Sequence, residues 1–250
     1  MKYIGSKARI AKPIATYINN IGFCEGIENY YEAFCGGCSV IQQVNLKNRY
    51  ANDLNKYIIT LMKKVQEGMW EFQYYPREVW EDVKANLGNG KYDDFFTAWI
   101  GYGCSYKAKF LDGFAGIHND RNYQREVYNS LVKERDSLLG IEFINGPYNE
   151  LEIKPGSIVY CDAPYIGTAE YAVGEFDFES YYKWLKETAK DNLVFISEYT
   201  MPAGFKSVDS WDLVVHSSTG ERVRRTENLF VVEGGYLVDK YFGEAHDNFL

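Results

Sequence analysis

The run Ile158-Val159-Tyr160-Cys161-Asp162-Ala163-Pro164-Tyr165 puts an acid, a proline-fixed turn and an aromatic at the end of a buried strand. The carboxyl edge of an open α/β sheet, where such a strand ends, is where these sheets bind ligands. These residue types suit one kind of chemistry. The exocyclic amine of a nucleic-acid base is a poor nucleophile because its lone pair is delocalised into the ring. Two acceptors that grip its N–H bonds localise that pair toward an electrophile. Asp162 offers a carboxylate, the Ala163–Pro164 turn offers backbone carbonyls, and Tyr165 offers a face on which a base can stack. A sulfonium donor such as S-adenosylmethionine presents an electrophilic methyl without a metal, so orientation and fixed dipoles supply most of the acceleration. The plainer alternative is that Asp162 caps a turn and Tyr165 packs.

A second constellation, Glu32-Ala33-Phe34-Cys35-Gly36-Gly37-Cys38, reads as a glycine turn between a strand and a helix. Glycines let a ligand approach the backbone, and a helix N-terminus offers free N–H groups. Asp53 closes the next strand, where an acid can accept from the two hydroxyls of a ribose. The turn lacks the three-glycine dinucleotide form, so no pyrophosphate is implied. Phe34, Cys35, Gly36, Gly37 and Asp53 are therefore candidate cofactor contacts. Cys35 and Cys38 form a C-x-x-C pair, but no second pair or histidine cluster completes a zinc site, and small residues packing a turn explain them better. No metal is expected, and His118, His216 and His246 are not expected to be catalytic.

The elements that must position these residues follow from periodicity. Ile10, Ile14, Ile18 and Ile21 mark an N-terminal helix with Pro13 in or near its first turn. Asn29 to Phe34 and Arg49 to Asn52 read as strands. A helix carrying Val40, Ile41 and Val44 inward is expected between them, and one with Ile58, Leu61, Met62 and Val65 after them. That alternation signals a parallel sheet. From Gly68 to Gly140 the patterns are helical, on Val79, Trp80, Val83 and Leu87, then Phe95, Phe96, Trp99 and Ile100, then Tyr123, Val127, Leu131 and Val132. Strands resume at Ile141 to Ile144, Ser157 to Cys161 and Leu193 to Ser197. Asp177 can cap the helix of Tyr181, Trp184 and Leu185. Leu213 to His216 and Leu229 to Val232 suggest a closing hairpin. The expected fold is thus α/β, a Rossmann-like, mostly parallel sheet from 1–67 and 141–250, with a helical insertion over 68–140 and a C-terminal antiparallel hairpin.

The formal charge of -8 argues against a non-specific coater of DNA, though not against a local basic cleft. Candidate nucleic-acid contacts are Tyr106, Lys107 and Lys109, with Phe110, in a glycine- and aromatic-rich loop of the insertion, and Arg222, Arg224 and Arg225 at the hairpin tip. Ser197-Glu198-Tyr199 ends a strand on the same sheet edge and could shape a target pocket. The five scattered cysteines do not form a disulfide framework. No apolar run approaches the roughly 20 residues of a membrane span, and the cytoplasm of a bacterial or phage-infected cell is the expected location.

Together these motifs make the chain similar to the DNA adenine methylase (Dam) family of adenine-N6 methyltransferases. Lys2-Tyr3-Ile4-Gly5-Ser6-Lys7 resembles that family's N-terminal lysine motif, Tyr31 to Cys38 its cofactor loop, Asn52-Asp53 its ribose-binding acid, and Asp162-Ala163-Pro164-Tyr165 its Asp-Pro-Pro-Tyr tetrapeptide. The resemblance implies that the sheet is that of an S-adenosylmethionine-dependent methyltransferase, with S-adenosylmethionine as cofactor and DNA as partner. It also implies that Tyr3, Lys7, Asp53 and Asp162 contact cofactor or target base, and that the block before the catalytic strand reads DNA. Ala163 replaces the tetrapeptide's first proline, and Pro147 stands where the family usually carries an acid for the cofactor's adenine. Alternative readings are methylation of RNA or of the cytosine amine, or a non-catalytic nucleic-acid-binding relic.

Overall fold

The computed structural model describes residues 7–68, 70–165, 176–216 and 222–243. Its strands, in chain order, are β1 (Asn29–Glu32), β2 (Asn48–Asp53), the two-residue pair β3 (Ile117–His118) and β4 (Arg121–Asn122), β5 (Ile141–Asn145), β6 (Ile158–Cys161), β7 (Leu193–Glu198), β8 (Phe205–His216) and β9 (Arg222–Val232). The helices are α1 (Ala11–Glu25), α2 (Lys56–Glu67), α3 (Arg77–Ala85), α4 (Asp94–Ala98), α5 (Tyr123–Leu138), α6 (Phe178–Thr188) and α7 (Val238–Phe242). One seven-stranded sheet runs β5-β2-β1-β6-β7-β9-β8. Its first five strands are parallel, and β9 and β8 close it antiparallel. The expected α/β sheet with a terminal hairpin is therefore what the chain forms.

The chain travels from β1 outward through β2 to β5, then returns to lay β6 and β7 on the other side of β1. Strand order thus reverses between β1 and β6, and a crevice opens at the carboxyl ends of strands at such a switch point. Every residue of β6 and β7 is buried, as expected where both faces of a parallel sheet are covered. One face holds Tyr30, Ile158, Tyr160, Phe195 and Leu229 with α1 and α2; the other holds Tyr31, Val159, Cys161 and Ile196 with α6.

The local elements follow their signals. Ile14 and Ile18 are fully buried and Ile10 and Ile21 nearly so. Pro13 lies in the first turn of α1, and Gly26 closes that helix at φ 66, a left-handed conformation that glycine adopts without strain. Asp177 caps α6 by accepting from the Ser180 N–H at 3.0 Å. β8 and β9 are longer than their apolar cores suggested, because pairing continues from Phe205↔Val232 to His216↔Arg222.

One expected element is absent. The glycine turn leads into a single 3-10 turn, Ile41–Gln43, and not an α-helix. Val40, Ile41 and Val44 are buried as expected, but α1 occupies the layer a helix would have filled. Asn19 of α1 donates to the Gln43 carbonyl at 3.0 Å and accepts from the Asn45 N–H at 2.8 Å, which ties this short connection down as irregular chain. The segment after the glycine turn therefore provides no α-helix N-terminus of its own.

Between α2 and β5 lie α3, α4, a π-helical extension of α4 (Trp99–Gly103) and α5. α2 packs against both α4 and α5, and Trp80, Trp99, Leu131 and Leu138 join the same apolar core as the sheet. Leu87 falls outside α3 and Val132 faces outward, each more than two-fifths exposed. Gln124, fully buried in α5, stitches the block together: its amide donates to the carbonyls of Tyr75 (2.7 Å) and Ala115 (3.0 Å) and accepts from the Tyr75 N–H (2.9 Å). Gln124→Ala should cost ~1–3 kcal/mol for each backbone group left bare. Urea unfolding checks this, and an unchanged midpoint would contradict it.

Candidate active site

The ends of β1, β2 and β5 are tied into one ledge. The side-chain amide of Asn52 donates to the carbonyls of Ala33 and Gly146, both at 3.0 Å. Asn145 donates to the Asp53 carbonyl at 2.9 Å, and the Cys35 N–H to the Asn52 carbonyl at 2.8 Å. On this ledge Asp53 Oδ2 accepts from the Gly36 N–H and Oδ1 from the Asn55 N–H, each at 2.9 Å. Gly36 turns at φ 43 and Cys38 at φ 60. Burial raises the Asp53 carboxyl above its ordinary value, and the two N–H donors oppose that rise. The predicted cofactor acid and the predicted glycine turn are thus in direct contact. The sulfurs of Cys35 and Cys38 lie 4.0 and 3.8 Å from the Gly36 carbonyl, and both side chains are buried packing groups.

Phe34 points to the α6 face. Its ring meets those of Tyr148 (5.3 Å), Tyr181 (5.7 Å) and Phe176 (6.1 Å). Pro147 opens the 3-10 turn Tyr148–Glu150, and so delivers Tyr148 to this cluster.

Across the switch point, Asp162 follows β6. Lys7 Nζ donates to its Oδ1 at 2.6 Å, and the Tyr165 hydroxyl lies 3.3 Å from the same oxygen. Lys7 also bonds the Tyr165 hydroxyl and stands 3.5 Å from Glu227 Oε1, while Tyr165 donates to Glu227. The Asp162 side chain is 19 % exposed, against 7 % for Lys7 and 3 % for Glu227. Burial raises both carboxyls, and the Lys7 ammonium opposes the rise in each. Tyr165, expected as an open stacking face, is held by its hydroxyl, and its ring leans on Tyr199 at 4.6 Å. Ala163 and Pro164 continue the chain out of the strand between these two residues.

Glu227, on β9, was not anticipated; an acid in an alternating strand carries no signal of its partners. Tyr199 joins the site as the Ser197-Glu198-Tyr199 segment suggested. Arg225, expected at a hairpin tip, places its guanidinium 5.0 Å over the Tyr199 ring. Arg224 is exposed and Arg222 belongs to β9, while the residues 217–221 between the strands lie outside the described residues, as does Tyr3. In the insertion loop Tyr106 is exposed beneath Lys107 (5.3 Å), Lys109 pairs with Asp112, and Phe110 turns inward against Tyr57 and Tyr102. Tyr102 accepts from Asn55 at 2.9 Å, which fixes this loop beside the Asp53 ledge. Among the described residues no histidine, cysteine and acid cluster could hold a metal, and no helix is long and apolar enough to cross a membrane.

Beneath the site, Glu32 is 3 % exposed and accepts from the Tyr30 hydroxyl at 3.1 Å. Burial pushes its carboxyl up to about 8. The folded protein therefore keeps a proton that the unfolded chain releases near the ordinary 4.5, and stability falls as pH rises across that window. Glu32→Gln removes this contribution, so its Tm should gain on the wild type between about pH 5 and 8. Parallel melting curves across that range would contradict the assignment.

Residues 3–98 match the family model described as D12 class N6 adenine-specific DNA methyltransferase. The matched segment holds Tyr3, Lys7, the Gly36-Gly37 turn and Asp53, so the resemblance read from the motifs is met independently. Match and fold together define the class, the S-adenosylmethionine-dependent methyltransferases. No curated protein matches the chain in sequence. Among solved structures it is similar to TrmN from Thermus thermophilus (10% identity, covering 88% of this chain and 48% of that one, TM-score 0.36). It is also similar to PH1948 from Pyrococcus horikoshii, a candidate RNA methyltransferase (9% identity, 89% and 84%, TM-score 0.40), and to HI0767 from Haemophilus influenzae, a candidate methylase (10% identity, 88% and 83%, TM-score 0.34). The chain thus spans about half the length of TrmN. These overlaps are too loose to carry a substrate.

Proposed function

We propose that this protein transfers a methyl group from S-adenosylmethionine to N6 of an adenine turned out of DNA. The observation that carries the reading is the Asp162 carboxylate at the strand-order switch, one strand across from the Gly36–Asp53 turn. The charge of the site suits the cofactor. Asp53, Asp162 and Glu227 bring three ionisable carboxyls to this edge, above a Glu32 that keeps its proton up to about pH 8, and Lys7 is the cation in contact with Asp162 and Glu227 among the described residues. A cationic sulfonium is welcome against such a surplus of acids.

The cofactor would lie with its ribose at Asp53 and its chain along Gly36 and Gly37, near Phe34, Cys35, Lys7 and Tyr3. Each Asp53 oxygen has a second lone pair for a ribose hydroxyl beyond its backbone partner. The bound cofactor supplies an electrophilic methyl. The remaining work falls to the chain. Among the described residues Lys7 and Tyr165 both engage Asp162 Oδ1, so Oδ2 is the acceptor assigned to one amine hydrogen. The carbonyl of the Ala163–Pro164 turn takes the other, and the packed pair of Tyr165 and Tyr199 offers an aromatic wall to the base. A paired adenine hides its amine, so the base must leave the stack. Segment 68–140 serves as the target-reading insertion. Tyr106, Lys107 and Lys109 there, with Arg222, Arg224 and Arg225 on β9, would meet phosphates and bases.

The test is transfer of tritiated methyl onto duplex DNA, single-stranded DNA, RNA and homopolymeric oligomers. Incorporation into adenine-containing DNA is expected. Exclusive labelling of RNA or of cytosine oligomers would replace the substrate, and cofactor binding with no transfer to any of them would overturn the enzymatic reading.

A further inference from the structure

Asp162 carries its counter-charge with it. An ammonium seated on a carboxylate draws its negative charge and weakens it as an acceptor for a neutral amine. Moving Lys7 away with nowhere to go would strand a buried charge, which is strongly unfavourable. The site holds a second seat. Glu227 Oε1 is 3.5 Å from Lys7 Nζ while Asp162 Oδ1 is 2.6 Å away, and Tyr165 bridges the two acids through its hydroxyl. A short swing of the ammonium from one carboxylate to the other needs no rearrangement of the strands, since β9 is fixed by its pairing with β7 and β8.

We propose that Glu227 is a positioning residue that receives Lys7 when the target amine docks on Asp162 Oδ2, so that the carboxylate regains its full charge as an acceptor without leaving the ammonium unpaired. This rests on the reading that Asp162 grips the amine. The groups facing the pair are Lys7, Tyr165, Tyr160 and Tyr199, the last with Arg225 over its ring, and Glu32 lies beneath Asp162. In this set two acids share one ammonium, and the Asp162 anion raises the Glu227 carboxyl. Replacing Glu227 by glutamine deletes one of them while keeping its shape. Lys7 then stays on Asp162, and Asp162 ionises at lower pH.

The expected result for Glu227→Gln is a kcat lower by at least ~10-fold, less than the loss of a direct transition-state contact. Cofactor affinity and Tm should be near those of the wild type, and the acid limb of kcat should move to lower pH. Glu227→Asp, which keeps the anion, should recover part of the rate. A readout that needs no turnover is the carboxyl-carbon NMR titration of Asp162, expected at lower pH in Glu227→Gln than in the wild type. Wild-type kcat, or an unmoved Asp162 titration, overturns the proposal. So does a joint loss of cofactor affinity and Tm without movement of the titration, which would make Glu227 a structural strut. If the wild type transfers methyl to no nucleic acid, the function proposed above is what fails, and the titration distinguishes that failure from this one.

Discussion

Asp162→Ala should lower turnover by at least ~10²-fold, the scale of losing one fixed polar contact to a transition state, while the protein still folds. The side chain stands at the end of a fully buried strand but is itself 19 % exposed, so its removal opens no large cavity. Deleting one partner of a buried ion pair is normally destabilising because the other is left alone. Here Lys7 keeps Glu227 within 3.5 Å and its bond to Tyr165, so the penalty is shared. Asp162→Asn tests the charge separately: it keeps the outline and one acceptor oxygen but cannot localise the amine lone pair as a carboxylate does. Both variants should bind the cofactor. Steady-state rates beside thermal unfolding check the claim, and wild-type turnover in either variant would refute the role.

The second large effect is expected at Asp53. Its two oxygens hold the N–H groups of Gly36 and Asn55. Asn55 in turn caps α2 by accepting from the Tyr57 N–H at 3.0 Å. Asp53→Ala therefore removes the ribose acceptor and loosens the turn that carries the cofactor's chain. Hydrogen bonds to a charged group contribute ~1.5–3 kcal/mol, which corresponds to a roughly 10- to 100-fold weaker cofactor Kd. Titration calorimetry with S-adenosylmethionine reads this directly. The α2 cap survives through Asn55, so the loss of stability should be smaller than the loss of affinity. An unchanged Kd would remove Asp53 from the cofactor site.

What could be read in the residues was whatever lies close along the chain. Asp162, Ala163, Pro164 and Tyr165 stand together at a strand end, and a short apolar run closed by an acid and a proline announces both the strand and its exposed tip. Asp53 is legible for the same reason. Lys7 entered only through the family resemblance, because nothing in its own neighbourhood points across the sheet to Asp162. Glu227 was invisible: its partners Lys7 and Tyr165 are remote in sequence, and an acid among Thr226 and Asn228 reads as a solvated strand face. The tethered hydroxyl of Tyr165 was hidden with it.

The misread helix after the glycine turn has a different cause. Val40, Ile41 and Val44 have helical spacing, and periodicity does not know that α1 already fills that layer. Arg225 was assigned to a tip because only the apolar ends of the hairpin were visible. The pairing of β8 with β9 extends the strands on both sides and brings that arginine over Tyr199.

The central claim is tested most directly by incubating the wild type and Asp162→Asn with S-adenosylmethionine and unmethylated DNA of mixed sequence, then digesting to nucleosides for mass spectrometry. N6-methyladenine from the wild type, and at least ~10²-fold less from the variant, is the predicted result. A methylated product on any other atom, or equal N6-methyladenine from both proteins, would contradict it.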